Sequence, residues 1–434
     1  MPHVPVAILG AGLTGLRTAQ QLERRGIDYT LYEKGVEVGG HVVTSEEHGY
    51  RFDRTGHLLH LRSDALRDEV VDWLQGECCD VERRSLVFSH GVLTRYPFQA
   101  NTFGLPPEVA YECLLGFVKA HFAPKRAEPQ SFEAFCRLHF GDGISRHFML
   151  PYNARLWGVP PDQITSEWCQ RFVPLPKLED VLAGAVGVKH PELGYNTRFL
   201  YPRRGIGALP AAMARGLRGL ALGRAPLAIR AETRELVFAD ERVGYERLVS
   251  SAPLTTLLEC FDVLPPEVDD ARRALRCTHL YYLDVALSAP ARLDAHWVYV
   301  PEAKYPFYRV GCYSHFSPEM APAGAAGLYV ELAGREPPDL RTLLPEVVQG
   351  LLELGWIRAT SDVAFVRLRR LDHAYVIYDH AYRGALSIIH PFLESVGVLS
   401  TGRYGAWNYS SMEDALNFGS DAAAWAACDT KPAR

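Results

Sequence analysis

Gly10-Ala11-Gly12-Leu13-Thr14-Gly15 is a G-x-G-x-x-G turn. It follows the apolar run Val6 to Leu9, and it opens a segment where Leu13, Leu16, Ala19 and Leu22 recur at helical spacing. Glu33 stands at the end of the next predicted strand, Tyr29 to Tyr32. In that context the glycines permit a tight turn and close backbone approach. The helix N-terminus offers free N–H groups and a positive dipole to a pyrophosphate, and the acid accepts both hydroxyls of a ribose. The bland alternative is a glycine-rich turn without a ligand. The strand–turn–helix context and the placement of the acid weigh against it.

Two further segments share three letters. Tyr96-Pro97-Phe98 runs into Gln99, and Tyr305-Pro306-Phe307 runs into Tyr308-Arg309. Their flanks have nothing in common, so duplication is a poor account of them. They are either separate core fragments or two walls of one site. Other chemistries lack their signatures. His41, His48, His57 and His60 come with no H-E-x-x-H motif and no Cys/His pairing, so no metal centre is expected. No paired catalytic carboxylates, Ser-His-Asp order or catalytic cysteine context stands out.

The elements that must position these residues follow from length and periodicity. A chain of 434 residues is too long for one ordinary core, so two interleaved domains are expected. With 48% apolar and 22% charged residues, the composition is that of a soluble globular protein. No run reaches the roughly eighteen apolar residues of a membrane span, and the N-terminus lacks signal-peptide character. Nine scattered cysteines fit reduced thiols and a cytoplasmic location. A net charge of −5 argues against a nucleic-acid platform. No repeat of about 20–50 residues appears. Residues 107–122 read as helix, 205–260 as strands and turns, and 277–287 and 296–333 as a second sheet. VGVLSTG reads as a last strand, and the residues from Met412 read as a closing helix. The expected fold class is α/β. A Rossmann-like nucleotide-binding domain is assembled from 1–95, 200–265 and 385–434. It carries an inserted substrate domain, helical over 96–199 and rich in antiparallel sheet over 266–384.

Glycine blocks recur beyond the first turn. Gly39-Gly40-His41 and Gly56-His57-Leu58 follow it, and Gly402-Arg403-Tyr404-Gly405 lies near the far end. A dinucleotide turn paired with a late glycine block resembles the FAD-dependent amine oxidase and protoporphyrinogen oxidase superfamily. The resemblance implies FAD. Its pyrophosphate and ribose would lie on Gly10, Gly12, Leu13, Thr14, Gly15, Glu33 and Lys34. Its middle would pass Gly39, Gly40 and His41. Its ring would meet Gly56, His57, Leu58, Gly402, Arg403, Tyr409 and Met412. The helix starting near Met412 would aim its N-terminus at the ring, where a positive dipole stabilises an anionic reduced flavin.

Four segments narrow the resemblance: YPFQAN (96–101), PYNARLW (151–157), WVYVPEAKYPFYR (297–309) and GRYGAWNY (402–409). Together they resemble UDP-galactopyranose mutase, particularly its eukaryotic-type branch, over nearly the whole chain. The resemblance implies that Tyr96, Phe98 and Gln99 surround uracil. Asn153 and Trp157, one helical turn apart, would close the nucleotide end. Arg309 would bind the diphosphate, which suits its planar fork. Tyr299 and Tyr409 would add hydroxyls, with Tyr375 or Tyr378 as a further contact. His57 would adjoin the flavin. Two departures stand out. Arg171 comes three residues after Trp168, where the family pattern has its second arginine four after, a position held here by Phe172. The family tyrosine seven residues after Arg309 is Phe316. The implied activity is a flavin-dependent pyranose–furanose mutase acting on a UDP-hexose such as UDP-galactose. The reduced flavin is the covalent nucleophile, with no net redox change. No second dinucleotide turn is visible, so the reductant is external, with NAD(P)H among the candidates. The alternatives are a flavin oxidase or desaturase and a nucleotide-sugar-binding flavoprotein without turnover.

Overall fold

The computed structural model describes residues 1–124, 128–188 and 197–428. His3–Leu9 forms the centre of the first sheet. It pairs in parallel with Tyr29–Glu33 on one side and with Arg242–Ser250 on the other. Val6, Ala7 and Ile8 are fully buried, as expected for a strand covered on both faces. Leu220–Leu222 extends the sheet beyond Tyr29–Glu33, and Val398–Ser400 pairs in parallel with Arg242–Ser250. Antiparallel strands Glu235–Val237 and Ala228–Arg230 complete the seven. The helix Leu13–Arg24 packs on the closing helix Met412–Ala427, and Leu16, Leu22, Leu416 and Ala423 are buried between the elements. Segments far apart in the chain therefore build one Rossmann-like domain. Helices Ala208–Ala214 and Leu254–Glu259 interrupt a region that reads as strands and turns from sequence.

The second sheet also has seven strands. In order they are Val363–Val376, Cys277–Leu287, Ala326–Leu332, Phe307–Cys312, Trp297–Tyr299, Ser85–Ser89 and Val92–Arg95. The last two correct the expected boundary at 95. Ser85–Ser89 pairs in parallel with Trp297–Tyr299, so this hairpin belongs to the second sheet rather than to the Rossmann-like domain.

Alternation along these strands decides what faces the site. Val298, Val310, Leu328 and Val330 share a core with Val347 and Leu351 of the helix Leu340–Glu353. Tyr299, Arg309, Tyr329 and Glu331 take the opposite face. A register irregularity between Phe307 and Arg309 leaves Phe307 with the apolar core and turns Arg309 the other way.

Helices Pro107–Phe122, Phe132–Ile144, Leu150–Trp157 and Leu178–Ala185 form the helical part. The first has the bounds read from its periodicity and starts at a proline, the residue suited to a first helical position.

Candidate active site

A cavity of 1620 Å³ lies between the two sheets and the helical part. Pockets for one ligand run to about 1,000 Å³, so this volume has room for a cofactor and a substrate together. At one end Gly10, Gly12, Leu13 and Thr14 line it, beside Glu33 and Lys34. A Cβ on Gly12 would meet no protein atom within 4 Å. The turn therefore presents bare backbone to open space, as a pyrophosphate requires. Gly15 does different work: it packs against the Gly10 carbonyl and does not reach the cavity. The Glu33 carboxylate accepts the Ala11 N–H at 2.8 Å and the Gly35 N–H at 2.7 Å. A carboxylate has about four acceptor positions, so two remain for a ribose. Gly39 and Gly40 close the turn, with the Gly39 N–H donating to the Ala11 carbonyl at 2.8 Å. Gly402 stands behind it, where a Cβ would fall 2.8 Å from Thr14 Oγ1.

The middle of the cavity holds Gly56, His57, Leu58, His41, Arg403 and Met412. Asp53 anchors the loop that carries His57. Its carboxylate accepts from Thr44 Oγ1 at 2.6 Å, the Ile206 N–H at 3.1 Å and the Tyr201 hydroxyl at 2.5 Å. Burial pushes its pKa up to about 7. His57 Nδ1 is buried with no partner among the described residues. Burial, then the Arg403 charge, pushes the His57 pKa down to about 4, so the ring is neutral at pH 7. His41 Nδ1 meets the Tyr404 hydroxyl at 3.1 Å, and burial pushes its pKa down to about 3. Arg403 donates to the Ser410 and Ala374 carbonyls and lies 4.7 Å over the Tyr409 ring. It pairs with no carboxylate among the described residues.

At the far end Arg309 meets Glu331 in a two-pronged ion pair, with Nε donating to Oε2 at 2.9 Å and Nη2 to Oε1. The register sets this pair, since Arg309 and Glu331 are cross-strand partners. Arg309 Nη1 has no partner among the described residues. Tyr152, Tyr299, Tyr329 and Tyr375 line the cavity close enough for their charge states to couple to Arg309. Tyr96 packs on Tyr299 with ring centres 4.9 Å apart. Gln99 Nε2 donates to the Pro174 carbonyl at 2.9 Å, while its Oε1 is buried without a partner among the described residues. Asn153 is at the wall and donates to the Met149 carbonyl at 2.8 Å.

Several expected contacts lie elsewhere. Phe98 is 0% exposed and stacks on Phe148 with ring centres 5.0 Å apart; Phe148 is the ring at the cavity. Trp157 is 1% exposed and sits behind Trp168, Tyr375 and Tyr409, of which all three reach the cavity. Arg171 is off the cavity wall, 44% exposed, and pairs with Asp414 at 2.5 Å. Phe172 lies at the wall instead, its ring 4.5 Å from Tyr409. Both belong to the single helical turn Cys169–Phe172, where successive residues point about 100° apart, so a one-residue shift changes the face. Phe316 packs on Tyr201 and Phe199, away from the cavity. Tyr375 is at the wall, while the Tyr378 hydroxyl accepts the Tyr409 N–H at 2.6 Å. Glu331, Tyr329 and Tyr152 are the additions sequence reasoning missed. The only signal for the first two was alternation in Leu328-Tyr329-Val330-Glu331. No metal-binding cluster is found among the described residues, and no helix there is long and apolar enough to cross a membrane.

Comparison with known proteins agrees with this architecture. The model of the NAD(P)-binding Rossmann-like domain family matches residues 8–73. A 4,4'-diapophytoene desaturase of Staphylococcus aureus (strain bovine RF122 / ET3-1) is 33% identical over 63 residues, 14% of this chain and 12% of that protein. A 4,4'-diapolycopen-4-al dehydrogenase of Metabacillus indicus is 42% identical over 48 residues, 11% of this chain and 10% of that one. These matches thus span only about a tenth of the relatives' length. Solved structures match far more. The structure of reduced UDP-galactopyranose mutase superposes with a TM-score of 0.90 at 27% identity, over 97% of this chain and 94% of the other. A putative protoporphyrinogen oxidase from Exiguobacterium sp. 255-15 gives 0.75 at 18% identity, over 98% of each chain. Putrescine oxidase gives 0.67 at 15% identity, over 97% of this chain and 98% of that one. The last two show the fold alone. The chain is thus a Rossmann-like nucleotide-binding protein of discontinuous strands with a separate mixed helical and sheet domain. At the level of fold it matches UDP-galactopyranose mutase and, at lower TM-scores, the putative protoporphyrinogen oxidase and putrescine oxidase.

Proposed function

We propose that this chain is a flavin-dependent mutase interconverting the pyranose and furanose forms of a nucleotide-linked hexose, with UDP-galactose the first candidate. One observation carries the reading. A single cavity joins a dinucleotide turn to a second site where half-buried Arg309 is ringed by tyrosines and bordered by the unmet acceptor of Gln99. The similarity to UDP-galactopyranose mutase, at 27% identity over 97% of the chain, supports it.

The residues present fit FAD. The bare backbone at Gly12, the two remaining acceptor positions of Glu33 and the orphaned Nδ1 of His57 lie along one cavity. Backbone N–H groups of the turn would hold the pyrophosphate and Glu33 the ribose. Arg403, unpaired with any described carboxylate, and the helix N-terminus at Met412 both favour negative charge beside them. When bound, reduced flavin supplies the nucleophile for the anomeric carbon, so no side chain is required in that role.

The remaining work falls to the chain. Gln99 Oε1 accepts the imide N–H of uracil beside the packed pair of Tyr96 and Tyr299 rings. Arg309 Nη1 and the surrounding hydroxyls hold the diphosphate as it leaves and returns, stabilising its charge in a site built beforehand. Glu331 neutralises Arg309, so the hydroxyls and Arg403 carry much of the anion's stabilisation. No oxidant enters this scheme.

The test is anaerobic. Protein reduced with dithionite is mixed with UDP-galactopyranose or UDP-galactofuranose, and the products are separated by chromatography. Interconversion without oxygen uptake is expected. Turnover only in the oxidised state, with oxygen consumed, would establish an oxidase instead. A colourless protein that takes up no FAD would refute any flavoenzyme reading.

A further inference from the structure

Phe316 leaves the diphosphate site one phenol short of the family pattern, and Tyr329 is a cavity-lining phenol beside Arg309. Its strand, Ala326–Leu332, sets Tyr329 opposite Gly311 and Glu331 opposite Arg309, all on the cavity side. The ring fits a slot made by two glycines. A Cβ on Gly311 would overlap the ring, and a Cβ on Gly56 would fall 2.6 Å from the hydroxyl. Tyr313 supports the ring from beside it, with centres 5.0 Å apart. The Arg309 guanidinium lies 6.0 Å from the ring centre. The phenol thus reaches from the Arg309 strand to the Gly56–His57 loop. Its hydroxyl makes no hydrogen bond to a described residue, although the side chain is almost fully buried and lines the cavity. Burial holds its pKa above the usual tyrosine value, so it keeps its proton at any working pH.

The geometry points to Tyr329 as the residue that donates a hydrogen bond to the diphosphate oxygen leaving the anomeric carbon, in place of the phenol absent at Phe316. The inference rests on the mutase reading. As the bond between the anomeric carbon and that oxygen breaks, its electron pair stays on oxygen. Tyr329 stabilises the charge by donation and transfers no proton. Its position between the anion-binding arginine and the Gly56–His57 loop is where that bond must lie if both ligands fill the cavity.

The experiment uses the flavin-loaded protein and its Tyr329→Phe variant, which keeps the packed ring. Calorimetry gives the affinities for UDP and for uridine, which lacks the phosphates. One lost hydrogen bond to a charged group corresponds to about a tenfold weaker UDP affinity, with uridine affinity unchanged and kcat reduced by at least as much. Adding Phe316→Tyr to the variant recovers nothing, because that side chain faces the core. Unchanged UDP affinity overturns the inference, as does equal weakening of UDP and uridine, loss of flavin from the variant, or rescue by Phe316→Tyr. Wild-type protein that binds neither uridine nor UDP overturns the mutase reading itself, a result distinct from any seen only in the variant.

Discussion

Arg309 holds two roles that a pair of substitutions separates. It is the expected diphosphate ligand, and it is the sole described ion-pair partner of Glu331, whose side chain is 0% exposed against 18% for Arg309. Arg309→Met removes the arginine and leaves a buried carboxylate without its counter-charge. Breaking a buried pair in this way costs about 3–5 kcal/mol, whereas replacing both partners with apolar residues of similar size is often neutral. Arg309→Met is therefore expected to lower the unfolding free energy by about 3–5 kcal/mol, and Arg309→Met with Glu331→Leu to recover most of that loss. UDP binding should be weakened in both, because the second substitution restores packing and not the guanidinium. Urea denaturation followed by tryptophan fluorescence measures the stabilities, and calorimetry with UDP measures binding. A single variant destabilised by less than about 1 kcal/mol would mean that water or a neighbour compensates Glu331, contrary to the burial argument. A double variant that binds UDP normally would remove Arg309 from the substrate site.

Three further outcomes follow from the same geometry. Gly12→Val should leave the fold's melting temperature in the absence of flavin nearly unchanged, since its Cβ meets no protein atom, but should abolish flavin binding; retained yellow colour and absorbance would place the cofactor elsewhere. Arg171→Ala should change stability by no more than about 1 kcal/mol, because its pair with Asp414 is partly exposed; a fall in turnover of about a hundredfold or more would put Arg171 in the site after all. His57 has a folded pKa depressed to about 4 from the usual 6.5, so the unfolded chain takes up a proton first as pH falls. The stability His57 contributes is thus present above pH 6.5 and lost between 6.5 and about 4. Denaturation curves of His57→Gln should fall less steeply across that window than those of the wild type, and parallel curves would refute the depressed value.

The first strand, the glycine turn, the helix after it and the acid at Glu33 were legible because each rests on local physics. A buried parallel strand is apolar throughout, a pyrophosphate turn needs glycine, and a helix repeats every 3.6 residues. The helix Pro107–Phe122 was readable on the same grounds. The residues lining the far end of the cavity were legible only in part, through short motifs. Tyr96, Gln99, Asn153, Tyr299, Arg309, Tyr375 and Tyr409 do line it. Phe98 and Trp157 share those motifs, and Arg171 follows Trp168, yet all three point elsewhere, because a motif specifies neighbours in sequence and not the face each takes.

Tertiary structure alone decided what long-range pairing decides. It joined the hairpin of residues 85–95 to the second sheet through a parallel contact with residues about 210 positions later. It set Glu331 against Arg309 and Tyr329 against Gly311 through strand register, and it packed the Gly56 loop on the Tyr329 hydroxyl. It turned Phe172 inward and Arg171 outward within one helical turn. By itself the sequence determined which chemistry was available, since residue type sets what a side chain can donate, accept or stack upon. Which of those side chains share one ligand depends on register and burial, and these are properties of the assembled sheets.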